Sequence, residues 1–381
     1  MTPSARLSAA IAVLDRVLAG EPAERALTNW GRASRYAGSG DRSAVRDLVY
    51  DALRQRASAA ALGGGLTGRG LVLGLMRAAG GETLFTGEGH APAPPAPEEA
   101  GREPTEEERL DLPGWLVPDL RASLGERFNA VAEALRSRAP VFLRVNLVKT
   151  DVAGAVASLA EEGIVARPHP LAKTALEVIE NARKIQTSQP YRDGWVELQD
   201  ASSQAVVLAL PLRDGMKVLD HCAGGGGKTL AMAAQARVKL LAHDANPRRM
   251  ADLPERAKRA GVEVKLTETP EGAAPYDLVL VDAPCSGSGS WRRDPEGKWR
   301  LTPEALDQLV VTQGRILDRV AGMVRPGGWL GYATCSLLWR ENRDQVDRFM
   351  ARHSGWRLHS DHAFTPLQDG DGFYLALMQR S

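Results

Sequence analysis

From Met216 onward, short apolar runs alternate with stretches of helical character: KVLDH, VKLLAH, VEVKL, YDLVLVD, GWLGYAT and FYLALMQ. Apolar runs without polar alternation suit strands covered on both faces, and the segments between them supply helices as the cover. The rhythm predicts an α/β domain built on a doubly wound parallel sheet. Ligands bind such sheets at the carboxyl ends of the strands, so the residues ending each run are the first candidates for chemistry.

The first run leads into HCAGGGGKT, His221 to Thr229, and the second ends at Asp244. Gly227-Lys228-Thr229 suggests a phosphate loop. That loop needs a glycine five positions before Gly227, where this chain has Cys222, a substantial though not absolute objection. The rival is a loop for S-adenosylmethionine: Asp220 ends the strand, Gly224 to Gly227 let the backbone approach a ligand without phosphates, and Asp244 can accept both ribose hydroxyls.

YDLVLVD runs into DAPCSGSG, Asp282 to Gly289, and GWLGYAT into ATCS, Ala333 to Ser336. Two of the three cysteines, Cys285 and Cys335, therefore sit at strand ends. With Cys222 they make an odd number, far apart and without a Cys-x-x-Cys, so neither a disulfide frame nor a metal site is expected. The chemistry they suit is methylation at a pyrimidine carbon. A thiolate adding to C6 of cytosine makes C5 nucleophilic towards a methyl sulfonium, and a base then removes the C5 proton. A free thiol ionises only near pH ~8.5, so a positive or hydrogen-bonding environment must help. Lys228 is one source of that field; capping or salt-bridging on its helix is the other reading. Asp282 can polarise cytosine N3 if protonated, or hold the cofactor as a carboxylate.

A net charge of +1 excludes a uniformly basic nucleic-acid binder, but the charge is segregated. Residues 1–85 hold eleven Arg against seven acids, whereas residues 86–112 hold eight acids against two Arg. Leu7, Ile11, Leu14 and Leu18, then Val45, Leu48, Val49 and Leu53 behind a capping Asp41, predict an all-helical domain over 1–85, interrupted by Gly63, Gly64, Gly65, Gly68 and Gly70. Residues 86–111, acidic and Pro-rich, read as a mobile linker. Residues 112–190 read as helix followed by a small α+β subdomain, and 191–381 as the domain carrying the glycine loop. The N-terminus lacks a signal-peptide arrangement and no uncharged apolar run has membrane-spanning length, so a cytoplasmic protein without a membrane partner is expected.

The motifs resemble those of the Nol/Nop/Sun (RsmB-like) family of RNA cytosine-5 methyltransferases. CAGGGGKT is similar to that family's Cys-Ala-Ala-Pro-Gly-Gly-Lys-Thr, DAPCSGSGSWRRDPEGKW to its Asp-Ala-Pro-Cys-Ser-Gly segment with a trailing Arg-Arg-x-Pro-x-x-Lys-Trp, and ATCSLLWREN to its Thr-Cys-Ser segment with a following Glu-Asn. RVN (Arg144 to Asn146), ELQDASSQ (Glu197 to Gln204) and DGDGFYLA extend the resemblance over about residues 112–381. It implies a Rossmann-like class I methyltransferase domain with Cys335 as nucleophile and Cys285 assisting release. It also implies cofactor contacts from Cys222, Ala223, Gly224, Gly225, Gly226, Gly227 and Lys228, and from Asp244 and Asp282. DRSAVRDLVYDALRQR looks like a NusB-like RNA-binding helical domain of the ribosomal branch. The chain departs from the pattern at Gly224-Gly225, where Ala-Pro is usual, which predicts a looser cofactor grip. VKLTETPEGAAPYD lacks the aspartate expected to contact adenine; Glu268 is the candidate, with Glu271 or a backbone group as alternatives.

The expectation is an S-adenosylmethionine-dependent enzyme, acting as a monomer, that makes 5-methylcytidine in RNA, 16S ribosomal RNA first and transfer RNA as the alternative. From other classes, a P-loop NTPase and a non-catalytic RNA-binding assembly factor compete. Arg292, Arg293, Lys298 and Arg300, interleaved with Trp291 and Trp299, are candidate RNA contacts.

Overall fold

The computed structural model describes residues 1–381, which form two compact units: Met1–Arg138 with Trp291–Leu301, and Ala139–Ser290 with Thr302–Ser381. These differ from the sequence-based boundaries. Residues 112–138 and an eleven-residue segment from far downstream belong with the helices of the first unit.

The helical unit is built on α1 (Pro3–Leu18), α2 (Ala23–Ala33), α3 (Ser39–Arg54), α4 (Arg56–Leu62) and α5 (Gly68–Ala78). Thr2 caps α1 by accepting from Ala5 N–H, and Leu7, Ala10, Val13 and Leu14 form its buried stripe. Asp41 lies inside the first turn of α3 rather than at the expected cap position, and reaches back to the Gly38 N–H. The glycine run does not break the bundle: a Cβ at Gly63 would stand 1.7 Å from Gly70 O, and one at Gly74 1.9 Å from Ala59 O. Only glycine permits α4 and α5 to touch backbone to backbone.

The acidic segment is not a free linker. Arg69 binds the Glu99 carboxylate at 2.5 and 2.9 Å and the Ala93 carbonyl at 2.9 Å, and Arg77 donates to Glu99 O at 2.5 Å. Hydrogen bonds to main-chain oxygens hold a segment that has little apolar surface to bury. At its end Asp111, fully buried, accepts from Ala57 N, Ser58 N, Ser58 Oγ and Arg136 Nε, and so caps α4.

The second unit holds two sheets. The smaller is antiparallel, in the order β2 (Val165–Pro168), β3 (Ala175–Glu180), β1 (Val141–Val145), β4 (Val196–Leu198). The larger contains β5 (Lys217–Asp220), β6 (Lys239–Ala242), β7 (Lys265–Leu266), β8 (Tyr276–Asp282), β9 (Val324–Thr334), β10 (Trp356–Phe364) and β11 (Phe373–Arg380), in the order β10-β11-β9-β8-β5-β6-β7. β5 to β9 are parallel, as the rhythm predicts, whereas β11 runs antiparallel to β9 and pairs with β10, a strand whose half-exposed sequence gives no apolar run. Successive residues of β8 feed opposite cores: Leu278 and Leu280 pack with Val206, Val207 and Met232, and Val279 and Val281 with Leu317, Val346 and Phe349. The order reverses between β5 and β8, and the crevice of an open α/β sheet lies at the carboxyl ends of such a pair.

Candidate active site

Asp220, the last residue of β5, is buried and accepts from Thr229 Oγ1 at 2.6 Å, while its Oδ1 has no donor. Burial pushes its pKa up to about 7. The loop that follows is stitched to the end of β6: Ala223 N–H donates to His243 O at 2.9 Å and Gly224 N–H to Asp244 Oδ2 at 2.9 Å. Gly224 and Gly226 have φ of +53° and +79°, and a Cβ on Gly226 would strike Leu253 at 2.3 Å. Gly226 thus serves packing, while Cys222, Ala223, Gly224, Gly225 and Gly227 line a cleft of about 850 Å³.

Asp244 lines the same cleft and is more heavily engaged than its sequence position suggests. It also accepts from Asn246 N–H at 2.9 Å and Arg249 Nη1 at 3.2 Å. Lys228, on the helix Gly227–Gln235, donates to Asp282 Oδ2 at 2.8 Å and lies 4.7 Å from the centre of the Phe373 ring. Burial works against its charge, but Asp282 and the hydrogen bond to it prevail and hold its pKa above the ordinary value. Lys228 is thus salt-bridged, to a strand end rather than within its own helix, and lines the cleft.

Cys285 and Cys335 reach the cleft from the ends of β8 and β9 with their Sγ atoms 3.3 Å apart. The hydrogen bond between them lowers the pKa of Cys335, with Lys228 adding to the effect against burial and Asp282, and raises that of Cys285. Of the two, Cys335 is the one whose surroundings favour the thiolate.

With this geometry the comparisons with known proteins agree. Residues 207–378 match the family described as 16S rRNA methyltransferase RsmB/F, and residues 112–186 match the RsmF/B-like ferredoxin-like domain. Ribosomal RNA small subunit methyltransferase B of Salmonella typhi is 34% identical over 293 residues, covering 71% of this chain and 67% of that protein. The chain belongs to the RsmB/F family of methyltransferases. The crystal structure of PH0851 shares the fold with a TM-score of 0.78 at 21% identity, covering 100% of this chain and 99% of that one. A methyltransferase homologue from Pyrococcus horikoshii follows at 0.63 and 25% identity, covering 72% and 97%.

The RsmB/F family uses S-adenosylmethionine, and the donor set here fits it. Two carboxylates, Asp244 and Asp282, face a cleft floored by glycine backbone, which suits a ligand bearing a sulfonium and a ribose diol. The expected adenine contact is not where the sequence placed it: Glu268 is exposed and outside the cleft lining, and Glu271 is tied to Arg319 at 2.6 Å. Asn246 and Ile316 line the cleft instead. Arg144 and Gln199, quoted above only within matched segments, act together: Arg144 Nη1 donates to Gly227 O at 2.8 Å and to Gln199 Oε1 at 2.6 Å, pinning the start of the loop helix.

The basic, aromatic segment after the Cys285 loop is not the RNA surface expected for it. Trp291, Arg292 and Lys298 are buried. Lys298 Nζ donates to Arg54 O at 3.0 Å, Trp299 Nε1 to Leu53 O at 2.6 Å, and Arg54 Nε to Arg292 O at 2.8 Å. The carbonyl end of α3 takes the Lys298 and Trp299 donors; Arg293 and Arg300 stay exposed.

Proposed function

We propose that the chain methylates C5 of cytosine in RNA, 16S ribosomal RNA being the substrate class its family points to, and that it works in the cytoplasm. The observation that carries this reading is the thiol pair, Cys285 and Cys335, at 3.3 Å in the cleft of a methyl-donor fold. Cys335 Sγ adds to C6 and moves ring electrons towards N3 and C5. The Lys228–Asp282 pair offers a donor and an acceptor 2.8 Å apart. That pattern suits the N3 acceptor and amino donor of cytosine, and the ammonium stabilises charge developing at N3. S-adenosylmethionine supplies the methyl group as an electrophilic carbon for C5. A base removes the C5 proton, the C5–C6 double bond re-forms and Cys335 leaves as thiolate, with the Cys285 thiol 3.3 Å away to hydrogen-bond the departing sulfur. The target base must be unstacked to reach both cysteines, so single-stranded RNA is the expected form, with the helical unit as an RNA-holding element.

Replacing Cys335 with Ala should abolish methyl transfer to 16S ribosomal RNA fragments, and Cys285→Ala should leave an RNA–protein adduct that survives a denaturing gel. Retained turnover in Cys335→Ala, or normal turnover without adduct in Cys285→Ala, would remove the respective role. Transfer RNA methylated in place of the ribosomal fragment would move the substrate assignment but not the chemistry.

A further inference from the structure

The loops carrying Cys285 and Cys335 converge on one residue. Glu341, fully buried in the turn after β9, receives four donors. Oε1 accepts from Ser286 N–H at 2.8 Å and Gln313 Nε2 at 2.9 Å; Oε2 accepts from Ser286 Oγ and Ser336 Oγ, each at 2.5 Å. Ser286 follows Cys285 and Ser336 follows Cys335, so the residue after each cysteine hangs from the same carboxylate. Leu338 N–H donates to Ser336 Oγ at 3.0 Å, which directs that hydroxyl's own proton to Glu341. Four donors require an acceptor-only group. An amide at 341 would turn its NH2 either on the N–H groups of Ser286 and Gln313 or on hydroxyls that are themselves donating.

The thiol pair sits among charges of both signs. The charged and titratable groups that face it are Lys228 from the glycine-loop helix, Asp282 from β8, Glu341 from the turn after β9 and the Tyr332 phenol, whose hydroxyl donates to Glu341 O at 2.6 Å. The hydrogen bond between the thiols favours a thiolate at Cys335, with Lys228 adding to it against burial and Asp282, while the same bond, burial and Glu341 disfavour one at Cys285.

We propose that Glu341 is a positioning residue that straps the two cysteine loops together and so sets the spacing of the two thiols. This rests on Cys335 being the nucleophile, as set out under the proposed function.

The test is alkylation of the full chain by iodoacetamide across a pH series, read cysteine by cysteine through peptide mass spectrometry, alongside methyl transfer. In the native chain Cys335 reacts at lower pH than Cys285. Glu341→Gln removes the charge and keeps the volume. It should loosen the straps and with them the hydrogen bond between the thiols, bring the two midpoints together and lower kcat at least about tenfold, with KM for S-adenosylmethionine unchanged. Glu341→Asp should restore the order of alkylation. Unchanged midpoints for both cysteines in Glu341→Gln overturn the proposal. Should that variant not fold, the Ser286→Ala, Ser336→Ala double variant keeps the carboxylate and loses both hydroxyl straps; kcat must fall, and an unchanged kcat overturns the proposal equally. Alkylation needs no RNA, so a native chain that shows the expected order yet methylates no cytosine would defeat the functional reading and leave this one standing.

Discussion

Two lysines of this chain are withdrawn from solvent and meet opposite fates. In the helical unit, Lys298 has neutral partners, the Arg54 carbonyl at 3.0 Å and the Trp299 ring at 4.9 Å, and burial pushes its pKa down to about 7. In the catalytic unit, Lys228 has the Asp282 carboxylate at 2.8 Å and is held above its ordinary pKa despite comparable burial. Depth alone does not decide whether a buried amine is charged; the partner does. Lys298 is a cap on the carbonyl end of a helix, and Lys228 is one half of an ion pair in the cleft that holds the two cysteines.

The contrast breaks most visibly at Lys228. Lys228→Met should lower kcat for methyl transfer by about 10²–10³ and, leaving Asp282 without its partner, destabilise the chain by about 1–3 kcal/mol; restoring stability but not activity with Asp282→Asn in the same chain separates the two effects. Asp282→Asn alone should make Lys228 resemble Lys298. Without the carboxylate its pKa falls, so the alkaline limb of the kcat profile should move to lower pH, and an unmoved limb would mean that Asp282 is not what keeps the amine charged. Lys298 carries the opposite signature. Its amine keeps a proton to about pH 10.5 in the unfolded chain but only to about 7 in the folded one, so between these values the unfolded chain binds more protons and stability rises with pH, by at most about 1.4 kcal/mol per unit. Urea unfolding of native and Lys298→Met chains from pH 7 to 10 should show that rise only in the native chain; parallel curves would refute it.

The smallest effect concerns the loop that presents Lys228. Gly225 lies outside the left-handed region whereas Gly224 has φ +53°, so the two glycines are not equivalent. Gly225→Pro should tighten S-adenosylmethionine binding about two- to fivefold by stiffening the loop. Gly224→Ala should weaken it, because a Cβ there is strained and stands 3.0 Å from the Arg249 guanidinium. Calorimetric titration reads both, and a Gly225→Pro chain that binds no tighter would show that the glycine pair does not loosen the grip.

The catalytic cleft was legible because its parts are local. A strand end, a glycine turn and a cysteine lie within a few residues of one another, and the parallel sheet brings all such ends to one edge. What escaped was whatever needs a partner remote in sequence. Lys298 and Trp299 read as a nucleic-acid surface because the carbonyls that occupy them belong to residues 53 and 54. Glu341 was visible only as half of a Glu-Asn pair, since its donors come from β8's loop, β9's loop and the helix Pro303–Ala321. The antiparallel β10–β11 hairpin was half missed because β10, at the sheet edge, is mostly half-exposed and lacks an apolar run. The acidic segment looked unstructured because composition measures apolar burial, and its anchors are arginines bonded to carbonyls.

The helical unit is written in two instalments, residues 1–138 and then 291–301. During synthesis the first instalment leaves the ribosome on the order of ten seconds before the second. Over that interval the carbonyls of Leu53 and Arg54 await donors not yet translated. The unit that begins the chain is therefore finished late: its last strut arrives only after the glycine loop and Cys285 have been made, and an N-terminal fragment ending at residue 138 would be a permanently interrupted version of that wait.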